Sequence, residues 1–505
     1  MLSKLHAATL VGVDAVPVEV EVDVSGGLPG FHLVGLPNGA IREGSVRIRA
    51  ALVNSGFSLG PSRVTINLAP ADLRKDGACF DLPIALGALV ARGIVDLRRA
   101  DLLIAGELAL DGRLRPIRGA LSLAEHARAS GLAGIVVPRE NAAEAALVGD
   151  LPVFAVESLQ EAVAVIAGDR PPTPVKASYL PVSGEPIDGP DFVEVAGQPE
   201  ARRAAEIAAA GGHNLMLVGP PGSGKTMIAR RMGTILPPMT RGEAVDATRI
   251  HSVAGLRAGG GLLGHRPFRA PHHTCSTAGL VGGGSVPRAG EVSLAHHGVL
   301  FLDELPEFPR RTLEALRQPL EDGDVTIVRA RQVVSFPARF MLVAAMNPCP
   351  CGYRGSEVRS CTCGESEVKR YAARISGPLL DRFDLFVRVR ALPAATLLSA
   401  EQGETSADIA ARVAAARARQ IDRFGRAKIT CNAQMSPRQL RHWVPLDAPS
   451  RMLLTAYADA RGASARALHR ACRVARTIAD LDGEETVGEE TLALALAFQQ
   501  DRWIG

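Results

Sequence analysis

No stretch of about 18 uninterrupted apolar residues occurs in the sequence, so nothing in it is expected to span a membrane. No targeting segment is expected either. The first residues, MLSKLHAATLVGVDAV, hold no long apolar core and run directly into Glu19, Glu21 and Asp23. The expected compartment is the cytoplasm. There is little excess charge, +4 over 505 residues, so a nucleic acid, if bound, has to meet a local patch or channel. Cysteines are few. Of the eight, Cys349, Cys351, Cys361 and Cys363 fall close together while Cys79, Cys275, Cys431 and Cys472 are scattered. In a reducing compartment a tight cluster reads as metal before disulfide. Cys472 shares an apolar helical stripe with Leu468, Ala475 and Ile478 and reads as core.

The length calls for two to four domains. Residues 16–24, VPVEVEVDV, alternate apolar and acidic and predict a half-buried strand; 81–95 are helix-like and apolar. Strand and helix signals continue to about residue 168. Residues 169–190 are rich in proline and form a linker, the clearest boundary in the chain. From 191 to 392, short buried strands (215–218, 299–302, 340–344) alternate with helical and glycine-rich stretches. That pattern implies an α/β fold with a parallel sheet. Residues 393–505 are nearly all helical. Ser436-Pro437 opens one helix as N-cap and first residue, and 464–481 form another.

Residues 219–226, Gly219-Pro220-Pro221-Gly222-Ser223-Gly224-Lys225-Thr226, match the phosphate-binding loop and sit between an apolar strand and a helix. Backbone N–H groups of such a loop close around phosphate oxygens, helped by the positive end of the helix. Lys225 is expected to reach the β- and γ-phosphates of ATP, and Thr226 to ligate Mg²⁺. Further on, GVLFLDE is an apolar strand ending in two acids. Asp303 is expected to hold the magnesium through water, and Glu304 to deprotonate the attacking water. A third strand ends in Asn347, suited to hold that water. Arg382, in GPLLDRFDLF, can stabilise the transferring phosphoryl group from a neighbouring subunit, or can pair structurally with Asp381 or Asp384. Arg466 can reach the nucleotide from the helical region.

The cluster CPCGYRGSEVRSCTC reads C-x-C, nine intervening residues, C-x-C. Four thiolates suit tetrahedral structural Zn²⁺. Free thiols and an iron–sulfur cluster are the alternatives.

GPPGSGKT, VLFLDE, AAMN and LLDRFD, in this order and followed by a helical lid, resemble AAA+ ATPases, and more narrowly the clade of magnesium-chelatase ATPase subunits and MCM helicases. RPFRAPHHT (266–274), GLPGFHLVGLPN (27–38) and INLAPADLRKDG (66–77) resemble the ComM/YifB proteins over essentially the whole chain. The resemblance implies a ring, usually a hexamer, with ATP between subunits. It also implies a branch-migration helicase acting on DNA during natural transformation. It gives the N-terminal α+β region, 1–168, the fold of a Lon-type protease domain. There Cys79, in Asp76-Gly77-Ala78-Cys79-Phe80-Asp81, stands where that family has serine, and Leu121 and Leu123 stand where it has lysines. Without a base to activate a nucleophile the domain is expected to be proteolytically dead. In this clade a hairpin, here 325–336 with Arg329 and Arg331, and a glycine-rich insert, here 254–290 with Arg266 and Arg269, face the channel. Their arginines are candidate DNA contacts. The rival functions are a motor subunit for magnesium insertion into a porphyrin, and an ATP-dependent protease or protein remodeller.

Overall fold

The structure is a computed structural model. It describes residues 1–28, 30–35, 39–73, 75, 77–175, 190–256, 260–284, 286–329, 332–357, 359–392, 403–427 and 429–499. Asp76, Arg331, most of the proline-rich linker and the start of the expected lid lie outside them. The chain forms two compact units: residues 1–183 with 244–264, and residues 184–243 with 265–505.

The first unit is built on a seven-stranded mixed sheet. In spatial order its strands are Gly30–Val34, Ser62–Ala69, Asp14–Gly26, Leu2–Val11, Leu102–Ile104, Gly134–Pro138 and Val153–Val156. The centre is antiparallel and both flanks are parallel. The expected strand at 16–24 is there, within Asp14–Gly26. Val18, Val20 and Val22 turn inward, while Glu19 and Glu21 turn out to meet Lys4 Nζ at 2.8 Å each. The apolar helix Asp81–Ala91 is buried along its whole length. Its first residue, Asp81, accepts from Arg47 Nε at 2.9 Å, and burial still pushes its carboxyl up to about 6.

Residues 244–264, expected within the ATPase region, pack with this first unit. One reason is visible in the helix Arg241–Ala254, whose Ala244, Ala247, Thr248, Ile250 and Ser252 are buried. Ser252 Oγ accepts from Gly119 N at 3.0 Å and donates to Glu144. Arg249 pairs with Asp14 at 2.5 Å and Glu125 at 2.9 Å. Sequence periodicity registers that a helix has a buried face, but not which body buries it.

The second unit holds a five-stranded, wholly parallel sheet in the order Phe268–Arg269, Val299–Leu302, Met341–Met346, Leu215–Val218, Leu385–Arg388. The strand before the phosphate loop is second from one edge, between the strand ending near Asn347 and the strand that follows Arg382. The C-terminal helices are not a separate body. Ile409, Val413 and Ala416 of Ser406–Phe424, and Ala471, Val474, Ala475 and Ile478 of Ala465–Asp482, share one core with the alanine-rich helix Pro199–Gly211 and the sheet. Small residues let these helices approach closely. Ser436 caps Pro437–Trp443 in a capping box with Gln439, and Ser464 caps Ala465–Asp482. Cys472 is buried as expected.

Candidate nucleotide site

A parallel sheet binds ligands beyond the carboxyl ends of its strands. Here three neighbouring strands end in chemistry. Leu215–Val218 runs into the loop 219–224 and the helix Lys225–Ile235. Gly224 at φ 94° takes the left-handed turn that starts this helix, a conformation costly for any residue with a Cβ. Val299–Leu302 delivers Asp303 and Glu304, and Met341–Met346 delivers Asn347.

These residues meet. Lys225 Nζ donates to Gly219 O at 2.7 Å, to Pro220 O at 2.8 Å and to Asn347 Oδ1 at 3.2 Å. Thr226 Oγ1 donates to Asp303 Oδ2 at 2.7 Å. Two hard oxygens side by side at the mouth of the loop fit Mg²⁺, which takes oxygen ligands and keeps several waters. Glu304 has its backbone at φ 50°, ψ 47°, an unusual place for a non-glycine residue, and its N–H donates to Asp303 Oδ1 at 2.9 Å. The turn presents the Glu304 carboxylate outward.

Burial pushes Lys225 down to about 8, against the opposing pull of Asp303 and Glu304. The charged form is thus present below pH 8 and is lost as pH rises. Phosphate favours that form, so nucleotide binding takes up a proton above pH 8. Affinity for a fluorescent ADP analogue is expected to be level to about pH 7 and to fall by up to about tenfold per unit above 8. Titrations at about pH 6.5 to about pH 9.5 test this; a level profile across the whole range would contradict it.

Arg382 and Arg466 come together, but not at this edge. Both bond to the same oxygen, Glu321 Oε1; the Arg466 distance is 2.8 Å. The structure therefore does not bring Arg466 to its own chain's phosphate loop. Arg382 precedes the strand Leu385–Arg388, and Leu385 lies in register with Leu215 at the amino end of the phosphate-loop strand. The two arginines line a cavity of about 680 Å³ with Arg470 and Arg473 at the opposite edge of the sheet from Lys225. The Nε atoms of Arg382 and Arg470 are buried there without a partner. Asp381 pairs with Arg470, and Asp384 accepts from Asn214 N at 3.0 Å; neither holds Arg382.

The four cysteines converge. Their sulfurs lie within 4.8 Å of one another and none is in a disulfide. Cys349–Cys351 is 3.4 Å, and Cys349–Cys361 and Cys351–Cys361 are 3.6 Å each. With a zinc–sulfur bond of about 2.3 Å, a tetrahedron has edges of about 3.8 Å. Backbone N–H groups of Tyr353 and Thr362 hold the Cys351 thiol down at about 5. Donor type and spacing fit a soft divalent cation.

The DNA-contact candidates separate. Arg266 is spent on Glu243 at 2.9 Å, Pro237 O at 2.7 Å and His297 O at 2.7 Å. Arg269 forms a bidentate pair with Glu291 at 2.6 and 2.9 Å. Both guanidiniums are already committed to protein acceptors, which leaves them poorly placed to take phosphate. Arg329 is exposed at the end of the hairpin Asp324–Arg329 and Gln332–Pro337, flanked by exposed Val328 and Val333. Arg331 is not among the described residues.

His273, in the segment RPFRAPHHT, stands at this site with Nδ1 3.4 Å from Glu304 Oε2, a place the sequence did not mark for it. Glu321, the shared partner of Arg382 and Arg466, carries no mark in the sequence at all.

Family models described as magnesium chelatase, subunit ChlI, match residues 191–397; subunit ChlI of Mg-chelatase, residues 20–141; and the ChlI C-terminal region, residues 403–499. The chain is 42% identical to the uncharacterized protein YifB of Salmonella typhimurium and to the competence protein ComM of Haemophilus influenzae, over 99% of its own length and 97% of each relative. It belongs to the ComM/YifB family. Full-length identity at this level carries the family's magnesium-chelatase-like architecture across both units. Among the described residues no helix is long and apolar enough to cross a membrane.

Proposed function

We propose that this protein hydrolyses ATP as a subunit of a homo-oligomeric ring, a hexamer, and uses the cycle to move DNA during recombination or transformation. The observation that carries it is the division of the hydrolytic set between two opposite edges of one sheet. Lys225, Thr226, Asp303, Glu304 and Asn347 stand at one edge; Arg382 and Arg466 stand at the other. A site divided in this way suits a nucleotide held between neighbouring subunits.

In this reading the loop 219–226 and Lys225 bind the phosphates. Asn347 orients water and Glu304 takes its proton. The partner's arginine compensates charge on the phosphoryl group in transit. Mg²⁺, held by Thr226 and Asp303, supplies neutralisation of phosphate charge. The four cysteines hold a structural zinc. The first unit keeps a Lon-protease-like fold without proteolysis: burial pushes the Cys79 thiol up to about 12, far from a nucleophile's range. The hairpin bearing Arg329 contacts DNA phosphates.

The test is ATPase rate with and without single-stranded, duplex and four-way-junction DNA, with Lys225→Ala as blank. Stimulation at least about tenfold, greatest on the junction, is expected. A DNA-independent rate would remove the motor-on-DNA reading and leave the ATPase. The magnesium-chelatase descriptions of all three matched segments favour a second reading, a motor that serves a porphyrin-binding partner. Stimulation by such a partner and porphyrin, and not by DNA, would select it.

A further inference from the structure

The four-cysteine loop touches the nucleotide site along three separate routes. Gly352, directly after Cys351, packs on the phosphate loop: a Cβ there would stand 2.5 Å from Pro221 Cδ and 2.8 Å from Pro221 Cγ, and its φ is +88°. Only glycine allows that approach. Cys349 is two residues from Asn347, whose Oδ1 receives Lys225 Nζ at 3.2 Å. On the far side, Cys363 leads into the helix Glu365–Ala372, whose Tyr371 hydroxyl lies against the Asn347 backbone. Just beyond it, Arg374 Nη1 bonds both oxygens of Glu307 at 2.9 Å, three residues after Glu304. The loop therefore abuts the phosphate loop, Asn347 and the turn that carries the general base.

Within the loop the sulfurs hold the two ends together. Cys351 N donates to Cys363 Sγ at 3.4 Å, and Cys361 Sγ lies 3.6 Å from the sulfurs of both Cys349 and Cys351. Residues 349–351 and 361–363 have no shared strand or helix. A metal bridging the four thiolates would fix the position of Gly352 against Pro221 and of the Glu365–Ala372 helix against Asn347 together.

We infer that the four-cysteine metal site and the ATP site are thermodynamically linked: zinc-class metal in the cysteine cluster sets the affinity for nucleotide, and nucleotide in turn locks the metal in. This rests on the zinc and ATPase readings above and adds a coupling between them. Coupling between two sites on one chain is reciprocal, so each ligand must change the other's affinity by the same factor.

The experiment is equilibrium competition for zinc between the full-length protein and a chromogenic chelator, with and without saturating magnesium and a non-hydrolysable ATP analogue, after zinc content has been measured by elemental analysis. Nucleotide is expected to protect zinc, tightening its binding by about five- to hundredfold. Gly352→Ala keeps all four thiolates, so it is expected to retain stoichiometric zinc, bind nucleotide more weakly and lose most of that protection. Cys361→Ser/Cys363→Ser, checked for folding by circular dichroism, is expected to lose zinc and bind nucleotide more weakly by the same factor as the protection. Zinc-free wild-type protein would overturn the metal reading itself. Zinc-loaded wild-type protein that binds the analogue yet holds zinc with unchanged affinity would overturn the linkage alone. Protection preserved in nucleotide-saturated Gly352→Ala would overturn the route through Pro221.

Discussion

Glu304→Gln is expected to bind ATP as tightly as the wild type and to hydrolyse it at least about a hundredfold more slowly. The substitution keeps the size of the side chain and its polar reach. It removes only the capacity to accept a proton. The groups proposed for binding are elsewhere: Lys225 and the loop 219–224 for the phosphates, and Thr226 with Asp303, bonded at 2.7 Å, for magnesium. Glu304 bonds these groups only through its backbone N–H, at 2.9 Å to Asp303 Oδ1, and glutamine keeps this bond. The left-handed backbone at φ 50° also survives, since Gln and Glu have equal backbone demands. The check pairs a fluorescent-nucleotide titration with phosphate release in single turnover. Lys225→Ala serves as contrast, because it should lose binding as well. Turnover within a few-fold of wild type would remove Glu304 from the role of base. His273, 3.4 Å from the same carboxylate, would then be the group to examine.

Arg382→Ala is expected to lower turnover by about a thousandfold, and an equal mixture with Lys225→Ala to regain part of the lost activity. Each variant alone is dead for a different reason. In a mixed ring some interfaces join the intact phosphate loop of an Arg382→Ala subunit to the intact Arg382 of a Lys225→Ala subunit. Those interfaces hold a complete site. Rescue is possible only if the arginine acts on the neighbour's nucleotide, the proposed role that its position at the amino edge of the sheet supports. The buried, unpartnered Nε of Arg382 points the same way, since a lone buried donor is costly without an acceptor supplied from outside. Activity that stays absent in the mixture, with mixed rings verified by affinity pull-down, would place Arg382 in the chemistry of its own subunit or in folding.

What the sequence made legible follows a physical rule. Strands such as Leu215–Val218 and Val299–Leu302 are short, fully buried and bounded by glycine or acid, so local pattern suffices. Ser436 caps its helix as expected, and Gln439 completes a capping box with it. Lys225, Thr226, Asp303 and Glu304 were readable because a phosphate loop and an acidic strand end carry their chemistry within a few residues. The cysteines were readable as a group for the same reason. What was hidden depends on residues far apart in the chain. Glu321 joins Arg382 to Arg466. Arg266 and Arg269 look like free cations in sequence, and only the fold supplies Glu243 and Glu291 to occupy them. Gly352 is one glycine among 51 until Pro221 is seen against it.

The placement of residues 244–264 has a consequence for inheritance. The first unit is written in two separate stretches of the gene, with the opening of the second unit between them. A recombination break at the proline-rich stretch would strand Ser252 and Arg249 from Gly119, Glu144, Asp14 and Glu125, the residues that hold them. Neither unit can be copied, swapped or lost as a single cassette. The YifB and ComM relatives match along 97% of their own length, across both units together.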